Sequence, residues 1–87
     1  MRHIPEWSRF PTFSSYLNYK DADELKQSGQ YDLALEEYKQ ADQEAPFNAL
    51  LRLGWGDTYE LQNKYIDALG VYLETALMWP LLYSLWY

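Results

Sequence analysis

The amino-acid sequence predicts an all-α chain built from two antiparallel helix pairs. Three observations carry this expectation. Apolar residues recur at intervals of three and four, the period of one helix face, through most of the chain. No stretch alternates apolar and polar residues as a half-buried strand does. The helix breakers Gly29, Pro46 and Pro80 fall between the periodic stretches, the two prolines 34 residues apart.

The elements follow in order. Pro5 and Pro11 bias the residues before them away from helix, so residues 1–14 read as an extended aromatic arm with at most one short turn. Thr12, Ser14 and Ser15 are N-cap candidates for a first helix running to Ser28, with Tyr16, Leu17, Ala22 and Leu25 as its irregular apolar face. Gly29 supplies the usual C-terminal stop. The second helix, Tyr31 to Glu44, has one apolar stripe of Tyr31, Ala34, Leu35, Tyr38 and Ala41, and Pro46 breaks it. Asn48 is a good N-cap for a third helix reaching about Gln62. A fourth spans about Tyr65 to Trp79, where Pro80 is expected to stop it.

The second and fourth helices are copies of one pattern. Tyr31, Ala34, Leu35, Tyr38 and Pro46 correspond to Tyr65, Ala68, Leu69, Tyr72 and Pro80, and Ala22 and Leu25 correspond to Gly56 and Tyr59. A helix pair recurring at 34 residues, with Gly29, Tyr31, Ala34, Tyr38, Ala41 and Pro46 at the signature sites, resembles the tetratricopeptide repeat family. Departures lie in the first helix of each pair, where Asn18, Asp21 and Arg52 stand at sites the family fills differently. In the second copy Asn63 and Thr75 replace a Gly and an Ala. The resemblance implies a short right-handed superhelix. Repeat one covers about residues 15–47 and repeat two about 48–80; residues 81–87 form a partial third first-helix or capping segment, with Trp86 at an early Trp site.

Composition narrows the function. The chain has 87 residues, a formal charge of −6, no cysteine and one histidine. A thiolate metal site, a disulfide and a histidine-based triad are therefore excluded within one chain. Acidic charge argues against nucleic acid and anionic membrane, which need clustered Lys or Arg. The uncharged run from Ala76 to Tyr87 is shorter than the roughly 20 residues a membrane helix requires. Adjacent acids such as Glu36 and Glu37, and the Asp21, Asp23, Glu24 cluster, read as solvated helix surface, since neighbours at i, i+1 and i, i+2 do not face each other. With no nucleophile–base pair, phosphate loop or metal spacing, the chain is expected to be neither an enzyme nor a cofactor carrier. The N-terminus carries no signal-peptide pattern, which points to the cytoplasm.

Two surfaces stand out as candidates. Comparison of the copies shows the polar face of the first turning apolar in the second: Glu37, Lys39, Gln43, Glu44 and Ala45 become Val71, Leu73, Leu77, Met78 and Trp79. In a stacked repeat protein a terminal unit needs a polar cap, so Val71, Leu73, Leu77, Met78, Leu82 and Trp86 are expected to be covered. The cover is the aromatic arm with Trp7, Phe10 and Phe13, a different protein, or a second copy, the last making a homodimer or a domain-swapped oligomer; lipid is a fourth, since Trp79, Tyr83, Trp86 and Tyr87 resemble interfacial aromatics, but no Lys or Arg flanks them.

The family resemblance implies the other surface, a concave groove lined by the first helix of each pair. The matching positions are Tyr16, Tyr19, Asp23 and Lys26, then Leu50, Leu53, Asp57 and Glu60. Tyr19 and Asp23, and Leu53 and Asp57, stand where chaperone-binding members grip a terminal carboxylate with Lys and Asn, so that clamp is absent. An apolar groove with acidic spots suits an apolar polypeptide carrying basic residues. The expected function is thus a protein-binding adaptor or scaffold. The alternative is a small dedicated binder, such as a secretion-type chaperone or an immunity protein masking one basic client.

Overall fold

In the computed structural model four α-helices follow a single 3-10 turn, Glu6–Arg9, and no strand is present among the described residues. The structure describes the backbone of residues 5–86 and the side chains of residues 5–79. Helix α1 spans Phe13–Gln27, α2 Tyr31–Glu44, α3 Ala49–Leu61 and α4 Tyr65–Trp86. Each helix packs on the next in sequence, and α1 also touches α3.

Local chemistry fixes three of the helix starts and stops. Thr12 caps α1, its Oγ1 accepting from the Ser15 amide at 3.0 Å. Asn48 caps α3, its Oδ1 accepting from the Leu51 amide at 3.2 Å. Each satisfies a donor that has no partner within the helix. The chain leaves α1 through Gly29 at φ 82, a left-handed conformation that glycine adopts without strain.

The two hairpin turns have the same backbone. After α1, Gln30 N–H donates to Leu25 C=O and Gly29 N–H to Lys26 C=O, at 2.9 and 3.1 Å. Thirty-four residues later Lys64 N–H donates to Tyr59 C=O and Asn63 N–H to Glu60 C=O, at 2.8 and 2.9 Å. Asn63 sits at φ 61 in the place of Gly29. Asparagine is among the few residues with a side chain that visit this region readily, so the apparent departure from the repeat pattern conserves the turn.

Pro80 does not end the fourth helix; α4 continues through it to Trp86, and the segment after it extends α4 instead of starting a new helix. The contrast with Pro46 gives the reason. Beyond Pro46 the chain turns at Phe47, at φ 59, and Asn48 caps the next helix. Leu81, Leu82 and Tyr83 supply neither a turn nor a cap after Pro80. An interior proline then removes one hydrogen bond and bends the helix without redirecting it.

Most of the core lies between α1, α2 and α3. Ala22, Ala34, Ala41 and Ala45 let these helices approach, and Tyr38 fills the space between them with no exposed surface. Gly54 of α3 faces the Tyr38 ring: a Cβ there would stand 2.7 Å from Tyr38 Oη and 2.9 Å from two ring carbons. In the second pair Gly56 meets the ring of Tyr72 in the same manner. A tyrosine knob of the second helix of each pair thus meets a glycine of α3.

Candidate functional site

The expected groove positions differ in exposure. Tyr16, Asp23, Lys26, Leu50 and Asp57 are half-buried, Leu53 and Glu60 are exposed, and Tyr19 is buried. Tyr19 belongs to the core cluster. Burial first, then Glu6, Asp23 and Tyr16, push its phenol up to about 12.

The acidic spots of the groove share one cation. Lys26 Nζ lies 3.3 Å from Asp23 Oδ1 and 3.2 Å from Asp57 Oδ2, bridging α1 to α3. Gln27 Nε2 donates to the other Asp23 oxygen at 3.2 Å. Glu60 Oε2 accepts from Tyr72 Oη at 3.4 Å. One ammonium set against Asp23, Asp57 and Glu60 leaves this wall net negative, which suits a ligand with basic groups.

Part of that wall is already in use. The chain folds back before α1 and places Phe10 on Tyr16 and Tyr19, with ring centroids 5.7 and 5.0 Å apart. Phe10 is only 7% exposed. Asn48 Nδ2 donates to the Arg9 carbonyl at 2.8 Å, and Thr12 Oγ1 donates to Glu44 Oε2 at 2.8 Å. The described part of the arm, from Pro5 to Thr12, therefore lies on the first repeat. Trp7 and Phe13 remain exposed.

The second surface is the outer side of α4. Of the expected self-association residues, Leu73 and Leu77 are exposed and Met78 is half-buried. Val71 is buried within the chain, and the side chains of Leu82 and Trp86 lie outside the described residues. The structure adds Ile66 and Leu69 to the exposed set. Ile66, Leu69, Leu73 and Leu77 form a stripe at i, i+3, i+7 and i+11. Comparing the copies missed this pair, because Leu35, the counterpart of Leu69, reads equally well as core.

The difference between the copies is one of cover. Leu35 is 7% exposed and Leu69 is 54% exposed at the same repeat position. Tyr38 has no exposed surface while Tyr72 is half-buried, and Ala45 is buried while Trp79 is 44% exposed. Helix α3 packs over α2; no described element packs over the matching face of α4.

A charged knot joins the two pairs, and no sequence motif marked it as one. Arg52 donates Nε to Asp42 Oδ1 at 2.9 Å and Nη2 to Asp42 Oδ2 at 2.7 Å, a bidentate pair. Its Nη1 donates to Glu74 Oε1 at 2.6 Å. The guanidinium carbon lies 4.5 Å from the Phe47 ring centre and 4.7 Å from that of Trp55. Burial works against its charge; the hydrogen bonds it donates to Asp42 and Glu74 outweigh that and hold the pKa above the ordinary value. One side chain thereby ties α2, α3 and α4. The available signal was the spacing of Phe47, Arg52 and Trp55 in an otherwise apolar helix start.

No group of three His, Cys, Asp or Glu side chains among the described residues has the arrangement of a metal site. No described helix is long and apolar enough to cross a membrane. Compared with known proteins, the chain matches no family model, no curated protein and no solved structure.

Proposed function

We propose that this chain is a protein–protein interaction module of the tetratricopeptide-like kind, an adaptor that binds a polypeptide on its α1–α3 face and self-associates through α4. Two hairpin turns with one backbone at a spacing of 34 residues support the repeat reading. The single observation that carries the functional reading is the cover difference between Leu35 and Leu69. A position that the fold buries in one copy is left in water in the other.

The occupant of the α4 stripe is a second copy of the chain. A two-fold contact sets a face against itself, so like charges on that face would repel. From Tyr65 to Trp79 the only charged side chains are Asp67 and Glu74, and Glu74 is engaged by Arg52. A chain of net charge −6 repels its own copies elsewhere; this helix face is where two can meet. Full burial of a Leu or Ile side chain is worth about 1.5–3 kcal/mol, and a two-fold pairing covers both stripes at once.

Light scattering after size exclusion tests this reading. A dimer is expected at tens of micromolar, and the double variant L73E/L77E is expected to elute as a folded monomer. A monomeric parent protein under those conditions overturns the self-association.

A further inference from the structure

We infer that the α4 dimer is antiparallel and centred near Leu77, and that Tyr83 of each copy fills an open α3–α4 groove of the other. The inference rests on the self-association reading and deepens it: it names the residue that the second copy contributes and the site it completes.

The groove is the second repeat's open version of a place that is closed in the first. It has a volume of about 250 Å³ and is lined by Leu53, Tyr72, Thr75, Ala76 and Trp79, beside Arg52. Thirty-four residues earlier, Tyr19, Tyr38, Ala41 and Ala45 stand at the sites of Leu53, Tyr72, Thr75 and Trp79. All four are buried in one cluster with Phe10 and Leu51. Phe10 comes from outside the first helix pair, and Leu51 from the next helix. In the second repeat no described side chain takes either part: Leu53 is 61% exposed and Trp79 44%. The molecule thus shows within itself what closes such a hairpin, an aromatic ring and an aliphatic side chain brought in from other elements. A cavity of about 150 Å³ holds benzene, so this groove has room for one aromatic ring.

The chain carries that ring and places it out of its own reach. Tyr72, Ala76, Trp79 and Tyr83 recur at i, i+4, i+7 and i+11, one face of α4. The helix continues through Pro80, so Tyr83 stands about 16 Å along the axis from Tyr72. A second copy running the other way brings it back. Arg52 then supplies a partner for the phenol. Its guanidinium has five N–H donors and gives three of them to Asp42 and Glu74.

Charge sets the direction and the register. The charged side chains of α4 are Asp67 and Glu74, and residues 68–73 and 75–86 are uncharged. Parallel pairing puts each acid level with its own counterpart, and like charges set against each other are unfavourable. Antiparallel pairing about Leu77 sets residues 68–73 of each copy against 81–86 of the other, and no acid meets an acid. This register brings Tyr83 level with Val71 and Tyr72 of the other copy, beside the groove. The same segment covers Leu69 and Leu73, the exposed stripe.

The experiment uses the full-length chain, which has no cysteine of its own. Variants carrying L53C, Y83C or both are oxidised and run on a non-reducing gel. A disulfide-linked dimer is expected for the double variant, and neither single variant should link. A linked monomer of L53C/Y83C means that the segment folds back on its own groove. Linking by either single variant means another pairing, and no link at all means that the groove stays open. Each of these results overturns the proposal. Sedimentation equilibrium gives a second reading. Y83A is expected to weaken the dimer at least tenfold and Y83F by less, with circular dichroism unchanged; an unchanged dissociation constant for Y83A overturns the proposal as well. None of these failures removes the dimer itself, which light scattering of the parent chain tests separately.

Discussion

Substituting alanine at two helical glycines should have opposite effects on stability, and the structure sets both signs. In an exposed helix, alanine is better than glycine by about 1 kcal/mol. At Gly70, no described atom beyond its chain neighbours and the adjacent helix backbone lies within 4 Å of the position an added Cβ would take. Gly70→Ala should therefore stabilise the fold by about 0.5–1 kcal/mol. At Gly54 the same methyl would stand 2.7 Å from Tyr38 Oη and 2.9 Å from two carbons of its ring. Tyr38 has no exposed surface, so its ring has nowhere to retreat. Overpacking of this kind costs about 1–3 kcal/mol, which exceeds the gain in helix propensity. Gly54→Ala is thus expected to destabilise by about 1–2 kcal/mol net. Urea unfolding followed by circular dichroism at low micromolar concentration reads both. Equal shifts in the midpoint, or stabilisation by both, would refute the claim that the Tyr38–Gly54 contact sets the spacing of α2 and α3.

Two further outcomes are expected. Asp42→Ala should destabilise by about 2–4 kcal/mol in the same urea assay, because it strips the bidentate partner from a buried guanidinium and leaves it only the largely exposed Glu74. Glu74→Ala should cost less than about 1 kcal/mol, since that carboxylate is 59% exposed and water replaces it; equal losses would mean that Arg52 is not the buried member of the knot. Stability should also fall in alkali. Burial raises the phenols of Tyr19 and Tyr38 above 10, so the unfolded chain releases their protons first. Their contribution is complete below pH 10 and is lost as the pH rises from 10 toward the raised folded values, at up to about 1.4 kcal/mol per pH unit for each group. Urea midpoints at pH 8 and 11 check this, and Tyr19→Phe should flatten the slope; an unchanged slope would remove Tyr19 from the account.

Each element start that the sequence marked with a capping residue was legible, because Thr12 and Asn48 act on amides three residues away and need nothing else. The repeat was legible for a related reason. Gly29 and Asn63 both satisfy a local demand for positive φ, and Ala22, Ala34 and Ala68 satisfy a demand for close helix contact. The run beyond Pro80 was misjudged because proline reports only what it removes. Whether the helix resumes depends on the residues that follow. Of the candidate site, Leu73 and Leu77 were visible as apolar replacements of polar residues. Ile66 and Leu69 were not, because an apolar residue at a core period looks the same whether or not a partner helix covers it.

Sequence alone therefore determined the helical class, the caps, the 34-residue period and the apolar character of the second copy. These depend on interactions within about five residues, or on composition. The tertiary structure decided which apolar positions are covered, where the aromatic arm lies, and that Arg52 joins three helices through Asp42 and Glu74. Those facts depend on contacts between residues ten to forty apart. No local period encodes them, because the same leucine is core under α3 and surface on α4.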